Sequence, residues 1–312
     1  MCIRDRDDVA VVDTATGDVT YRYDEPVSGM GWLRDHRVFA RSAAGEVFRV
    51  IDAETGEQVG KPVWNVFRYW PSPDGARLIA VTTDSRLQAA DPLTGEPEGE
   101  PWRVPGFPMW VSIAPDGDRI AVSHWNDGTA SDFMVGHASP EEGTDLAIVS
   151  ADDHRLLDDA PATTVAHVLL DNGDLIALEG ARLRRYDTDP LARIGTVPGA
   201  AGTLGSPSLS GDTRALLVMA DDGTALFYDA STGARIGEPF RTDAETLAPG
   251  VLRPDGLELA LSTPDGVMVW DVDPEHQFED ACRIAGRYLT ENEWRAYLGA
   301  LGAPQSTCGF AD

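Results

Sequence analysis

The chain has 312 residues and a formal net charge of -27, with 52 Asp and Glu against 25 Lys and Arg. That surplus of negative charge repels phosphate backbones and excludes nucleic acid as an expected partner. No apolar run approaches the roughly 18 residues that a membrane span needs, and the length suits one large repeat array better than one ordinary domain.

The first residues, Met1-Cys2-Ile3-Arg4-Asp5-Arg6, match the translation of a transposase adapter used in sequencing libraries. Residues 1–6 are therefore set aside from the fold, and the natural chain is expected to continue upstream. Two strands follow, near 8–12 and 18–23, with Asp13-Thr14-Ala15-Thr16-Gly17 between them. That turn recurs as Asp52-Ala53-Glu54-Thr55-Gly56, as Asp91-Pro92-Leu93-Thr94-Gly95 and as Asp229-Ala230-Ser231-Thr232-Gly233, with a degenerate copy at Asp187 and a last Asp at 271. Each copy follows a short apolar strand such as Val47–Ile51 or Ala225–Tyr228. A second turn alternates with the first: Pro73-Asp74-Gly75, Pro115-Asp116-Gly117, Asp171-Asn172-Gly173 and Pro254-Asp255-Gly256. Proline presets φ there, and Asp-Gly or Asn-Gly supplies the positive-φ position.

Self-similarity at about 40 residues, made only of short strands, predicts an all-β fold: a β-propeller of four-stranded antiparallel blades. Asp13, Asp52 and Asp91 are evenly spaced, as are Asp187, Asp229 and Asp271, while the gap from Asp91 to Asp187 holds two blades plus an insertion near 124–144. The pattern predicts seven blades with the first incomplete, or six if the ring closes on the chain as it stands. The propeller is assigned to 7–275 and a two-helix cap to 276–312.

The residues Ser72-Pro73-Asp74-Gly75, Trp270-Asp271, Gly60-Lys61-Pro62 and Gly237-Glu238-Pro239 resemble bacterial WD-repeat propellers over about 8–275. The Gly-His pair of that family is missing before each blade; the one Gly-His, Gly136-His137, sits in the insertion. The tail, Glu279-Asp280-Ala281-Cys282-Arg283-Ile284-Ala285-Gly286-Arg287 with Leu289-Thr290-Glu291-Asn292-Glu293-Trp294, resembles the C-terminal cap of large actinobacterial WD-repeat proteins. In those proteins the propeller follows a STAND-type NTPase, a kinase or a transcription-regulator module, often with a membrane helix between. The resemblance implies the sensor or interaction end of a longer signalling protein.

The tail also reads physically. Phe278, Cys282, Ala285 and Leu289 form one helical stripe, Thr290 and Glu293 a capping box, and Trp294, Tyr297, Leu298 and Leu301 the apolar face of a second helix. Both helices are expected to pack on the outer edge of the propeller. Cys282 and Cys308 flank the pair and are a disulfide candidate, the alternative being two buried thiols. A bond between them favours the extracytoplasmic side of a membrane-anchored protein over the cytoplasm.

Catalytic signatures do not emerge. There is no Gly-x-Ser-x-Gly elbow, no dinucleotide fingerprint and no Cys-x-x-Cys, and no cofactor is expected. His124, Asp127, Asp132 and His137 could converge on a cation, but the segment reads as a solvated loop. The insertion joins a second and a third strand, on the face where successive blades are linked. Arg68, Tyr69, Trp70, Trp110, His124 and Trp125 lie near it and are the candidate partner-binding residues for a protein or peptide. The competing reading is that these aromatics plug the channel or pack between blades. The chain is read as a non-enzyme; the alternative is a lactonase-like hydrolase or quinoprotein relative with a metal in the channel.

Overall fold

The computed structural model describes residues 2–5, 8–13, 16, 18–23, 27–33, 35, 37–42, 47–126, 144–197, 205, 207–220, 222–241, 250–252, 256–263, 266–299, 302–303 and 308. Every sheet in it is an antiparallel meander. The first has three strands, β1 (Cys2–Asp5), β2 (Asp8–Val12) and β3 (Val19–Tyr23). Cys2–Asp5, set aside in the sequence reading, thus pairs with β2.

Five four-stranded blades follow. They are β4 (Val27–Trp32), β5 (Arg37–Ser42), β6 (Val47–Asp52) and β7 (Gln58–Trp64); β8 (Val66–Pro71), β9 (Leu78–Thr82), β10 (Leu87–Ala90) and β11 (Pro97–Trp102); and β12 (Phe107–Ile113), β13 (Arg119–Trp125), β14 (Thr144–Ser150) and β15 (Leu156–Pro161). Then come β16 (Thr164–Leu169), β17 (Leu175–Glu179), β18 (Arg182–Thr188) and β19 (Leu191–Thr196), and β20 (Ser208–Leu209), β21 (Ala215–Met219), β22 (Thr224–Asp229) and β23 (Arg235–Arg241). A three-stranded sheet of β24 (Gly250–Leu252), β25 (Glu258–Thr263) and β26 (Gly266–Asp271) ends the array.

The expectation of seven blades, or six, is therefore corrected: among the described residues complete four-stranded blades number five, with a three-stranded sheet at either end. The last sheet stops for a local reason. Asp273 caps a helix with its side chain on the Glu275 amide, and Pro274 occupies the first turn, so the chain turns helical where a fourth strand would begin.

Both recurring turns are built by side chains that replace backbone partners. Asp52 accepts from the amides of Glu54 (2.9 Å) and Thr55 (3.0 Å), and the Gly56 amide closes on the Asp52 carbonyl at 2.8 Å. Asp229 repeats this with Thr232 and Gly233. The glycine is needed twice over. Gly56 has φ 73, and a Cβ there would stand 2.1 Å from the Tyr21 ring of the preceding sheet. In the other turn Ser72 donates to Asp74 at 2.6 Å and accepts from the Arg77 amide at 2.9 Å; Ser210 and Asp212 repeat it.

The core lies between sheets. Each consecutive pair shares one apolar layer: Val11 with Val38 and Ala53, Phe48 with Tyr69 and Leu78, Trp70 and Val81 with Phe107 and Val122, Leu146 with Leu175 and Tyr186, Ile176 with Leu216 and Tyr228, and Leu217 with Leu252 and Leu259. Inner strands are covered on both faces, so Leu78–Val81 and Leu175–Leu178 are buried throughout and do not alternate. Outer strands such as β11 are mostly exposed.

Two helices follow, α1 (Pro274–Ala285) and α2 (Glu291–Leu298). The Thr290–Glu293 capping box is formed in both directions. Cys282 and Cys308 are joined by a disulfide with Cα atoms 5.6 Å apart. Trp294 is buried and its indole donates to the Gly302 carbonyl at 3.0 Å. The expected burial of the apolar stripe on the propeller is not found: Phe278 is 50% exposed and Tyr297 79%. The pair is held through the disulfide, the Trp294 bond and the Arg287–Glu293 ion pair at 2.8 Å, and is tied to the end of β26 by His276 and Gln277, which bond Asp271 at 2.8 and 3.2 Å.

Candidate interaction face

In each blade the second-to-third connection and the link to the next blade leave on the same face, which follows from the antiparallel order. On that face the first two strands share a repeated irregularity. Their register shifts between Val27 and Gly29, Val66 and Arg68, Pro108 and Trp110, and Thr164 and Ala166. A bulge therefore sits one residue inside the mouth in four successive blades, a device that re-aims side chains at rims. Nothing in the sequence reading signalled it, because a bulge is a property of the pair of strands and not of either alone.

The insertion leaves this face between β13 and β14. Its root is fixed by Asn126, whose amide donates to Asp145. Residues 127–143, and with them Asp127, Asp132 and His137 of the possible cation cluster, lie outside the described residues. Among the described residues, no group of three or more His, Cys, Asp or Glu side chains is placed to hold a metal ion.

The six candidate residues divide. Tyr69 is buried and stacks on Phe48, with ring centroids 3.3 Å apart; burial pushes its hydroxyl far above the ordinary tyrosine range. Trp70 is buried and meets Trp110 edge-on at 6.2 Å. His124 is fully buried, with Nε2 3.0 Å from Asp159. Trp110 is half-buried, and its indole donates to the His167 carbonyl at 2.9 Å. Arg68 and Trp125 remain partly exposed, Arg68 with its guanidinium 5.5 Å from the centre of the Phe67 ring and Trp125 against the layer between the second and third blades.

The centre of this arrangement is His167, which the sequence reading did not single out. It is on the first strand of the fourth blade, fully buried, and reaches into the third. Its Nε2 accepts from the Ser123 amide at 3.1 Å, next to the bulge in β12. Accepting there requires a bare Nε2, so the proton of the neutral ring sits on Nδ1 and is donated to Ser112 Oγ at 2.7 Å. Burial holds the imidazole neutral, its pKa pushed down to about 3. The polarity is opposite to that of a nucleophile–base pair, in which imidazole accepts from the hydroxyl. Ser112 and His167 thus form a clasp between blades. Trp70, Trp110 and His167 together connect the second, third and fourth blades beneath the candidate face.

No known protein family matches the sequence, and no curated protein does. Solved structures do match in shape. A chain from the crystal structure of a mitotic checkpoint complex aligns with TM-score 0.64 at 15% identity, covering 85% of this chain and 82% of that one. A chain of hydrazine synthase from Kuenenia stuttgartiensis aligns with TM-score 0.61 at 12% identity, covering 86% and 90%. Such likeness establishes the β-propeller fold. One similar chain belongs to a checkpoint assembly and the other to an enzyme, so the fold by itself does not choose between function classes.

Proposed function

We propose that this chain is a non-catalytic interaction propeller of the WD-repeat kind, which binds a protein or peptide on the face that carries the insertion. The observation that carries the reading is the contrast within the site: His167 is committed to holding two blades together, while Arg68 and Trp125 stay partly open beside the root of a long connection. Long connections on a rigid repeat scaffold commonly carry recognition. The propeller enzyme is not favoured, because the one Ser–His pair in the described interior has its proton on the wrong side for base catalysis.

The tail resemblance supports placing the propeller at the sensing end of a larger bacterial signalling protein. The Cys282–Cys308 bond supports an oxidising compartment for it. The test is quantitative capture of a partner identified from the source cells. Arg68→Ala and Trp125→Ala should each weaken that binding by about tenfold or more, as anchor residues do, with the native far-ultraviolet spectrum unchanged; Trp125→Ala should also lower the melting temperature, because its ring packs on the layer between two blades. Unchanged capture would remove this face from the proposal, and stoichiometric calcium in the purified protein would restore the enzyme reading.

A further inference from the structure

The outer strand of every blade leaves a row of ladder groups open, and these must be blunted if the edge is not to recruit another strand. Three of the five complete blades do it in one way. Gly60, Gly99 and Gly237 take φ of 70, 68 and 65, each is followed two residues later by proline (Pro62, Pro101, Pro239), and the register shifts nearby. A positive-φ bulge twists the edge and proline removes a donor. In β15 the same end is served by Asp158, Asp159 and Pro161. The outer strand of the fourth blade, β19, reads Leu-Ala-Arg-Ile-Gly-Thr, with neither proline nor carboxylate. Its Gly195 does not enter the left-handed region.

Three further observations coincide on β19. It pairs with β18 on one side and, among the described residues, with no strand on the other. Beyond its ladder with β18, the one β19 amide bonded to another group among the described residues is that of Leu191, which donates to Asp158 at 2.8 Å. The outermost pair of every complete blade has a register shift; in this one, at Arg185 and Tyr186, it leaves Ile194 without a partner opposite, and Ile194 is 55% exposed. Asp158 and Asp187 lie at the start of the strand, and its far end is basic in a strongly acidic chain. Arg184 and Arg193 share the single carboxylate of Glu179, at 3.4 and 3.9 Å, and exposed Arg182 has no ion pair among the described residues.

We propose that the free edge of β19 is a docking strand for an extended, acidic segment of a partner protein. The segment adds as a further strand from Ala192 onward, covers Ile194, and sets its carboxylates against Arg182 and Arg193. A second copy of this chain fits poorly. Antiparallel pairing of two such edges would bring the arginines of one copy towards those of the other, and would oppose two chains that each carry -27. The edge is on a different blade from Arg68 and Trp125, although Arg182 begins β18 at a connection on the same face, so the two readings are told apart by their variants.

The probe is a fluorescent peptide of alternating valine and glutamate, titrated against the full chain. The controls alternate valine with lysine, or replace every second valine by proline. The glutamate peptide should bind, weaken with salt, and slow amide hydrogen exchange at Ala192–Thr196; neither control should. Ile194→Asp and the pair Arg182→Glu with Arg193→Glu should each weaken it about tenfold, with unchanged melting, and Arg68→Ala should have no effect. Equal binding of the lysine peptide, protection elsewhere, or insensitivity to both variants overturns the proposal. So does self-association that Ile194→Asp abolishes, since the edge then belongs to a second copy.

Discussion

His167 is the most informative residue to perturb, because its burial makes a prediction that changes sign with pH. The ring is neutral in the folded protein, with its pKa pushed from 6.5 to about 3 by burial. In the unfolded chain it titrates at its ordinary value. Between these two values the unfolded state binds one more proton than the folded state, so this group destabilises the fold progressively as pH drops below 6.5. The slope for one proton is about 1.4 kcal/mol per pH unit, so by about pH 5 the loss is about 2 kcal/mol. His167→Gln removes the titration. Its amide oxygen can still accept from the Ser123 amide, whereas the bond to Ser112 is lost, costing about 1 kcal/mol at neutral pH. Wild type should therefore be the more stable protein at pH 7, and the two stability curves should meet between about pH 5 and 6. His167→Leu also strands the buried Ser123 amide and should cost a further 1–3 kcal/mol, roughly, at every pH. The assay is urea unfolding followed by tryptophan fluorescence at a series of pH values. The carboxylates of Asp52 and Asp229 are held below their ordinary range, first by the Thr55 amide and the Ser231 hydroxyl respectively, so their contribution is lost at still lower pH. His154 is also depressed by burial, but it is common to both proteins and cancels in the difference. Parallel curves for wild type and His167→Gln would refute the buried neutral clasp.

Gly56→Ala should destabilise the protein by about 2–4 kcal/mol, from the positive φ together with overpacking against Tyr21, and should lower the melting temperature; a change within error would show that the first sheet does not pack there. Cys282→Ser should release the helical pair, a loss of about 3 kcal/mol in that element, seen as faster proteolysis after Arg283 and Arg287 with the main melting transition unmoved. If the main transition falls as well, the pair is part of the propeller's cooperative unit. Pro239→Thr restores an edge donor to β23 and should raise turbidity on mild heating without altering the native far-ultraviolet spectrum; equal turbidity would deny the proline its protective role.

What the sequence revealed and what it hid follow the range of the interactions. Both turns are legible because all their bonds span a few residues. Asp52 reaches the amides of Glu54 and Thr55, and Ser72 reaches Arg77, so the spacing of types in the text is the structure itself. The Thr290–Glu293 box is legible for the same reason. His167 is hidden because its partners, Ser123 and Ser112, stand 44 and 55 residues away. The candidate face was only half legible for a different reason. In an ordinary sheet with one wet face, alternation separates inward from outward side chains. In a propeller both faces of an inner strand are covered by neighbouring blades, so Tyr69 and Trp70, adjacent in sequence, are both buried. Aromatic content near the mouth therefore reports packing unless a residue is also polar or bulged outward. Arg68 meets that condition, lying at the register shift of its strand. The same reasoning makes the outer strands the readable part of this fold. Like the first strands they end their sheets, and whether their open edge carries Gly-x-Pro, carboxylates or neither is written in a few consecutive letters.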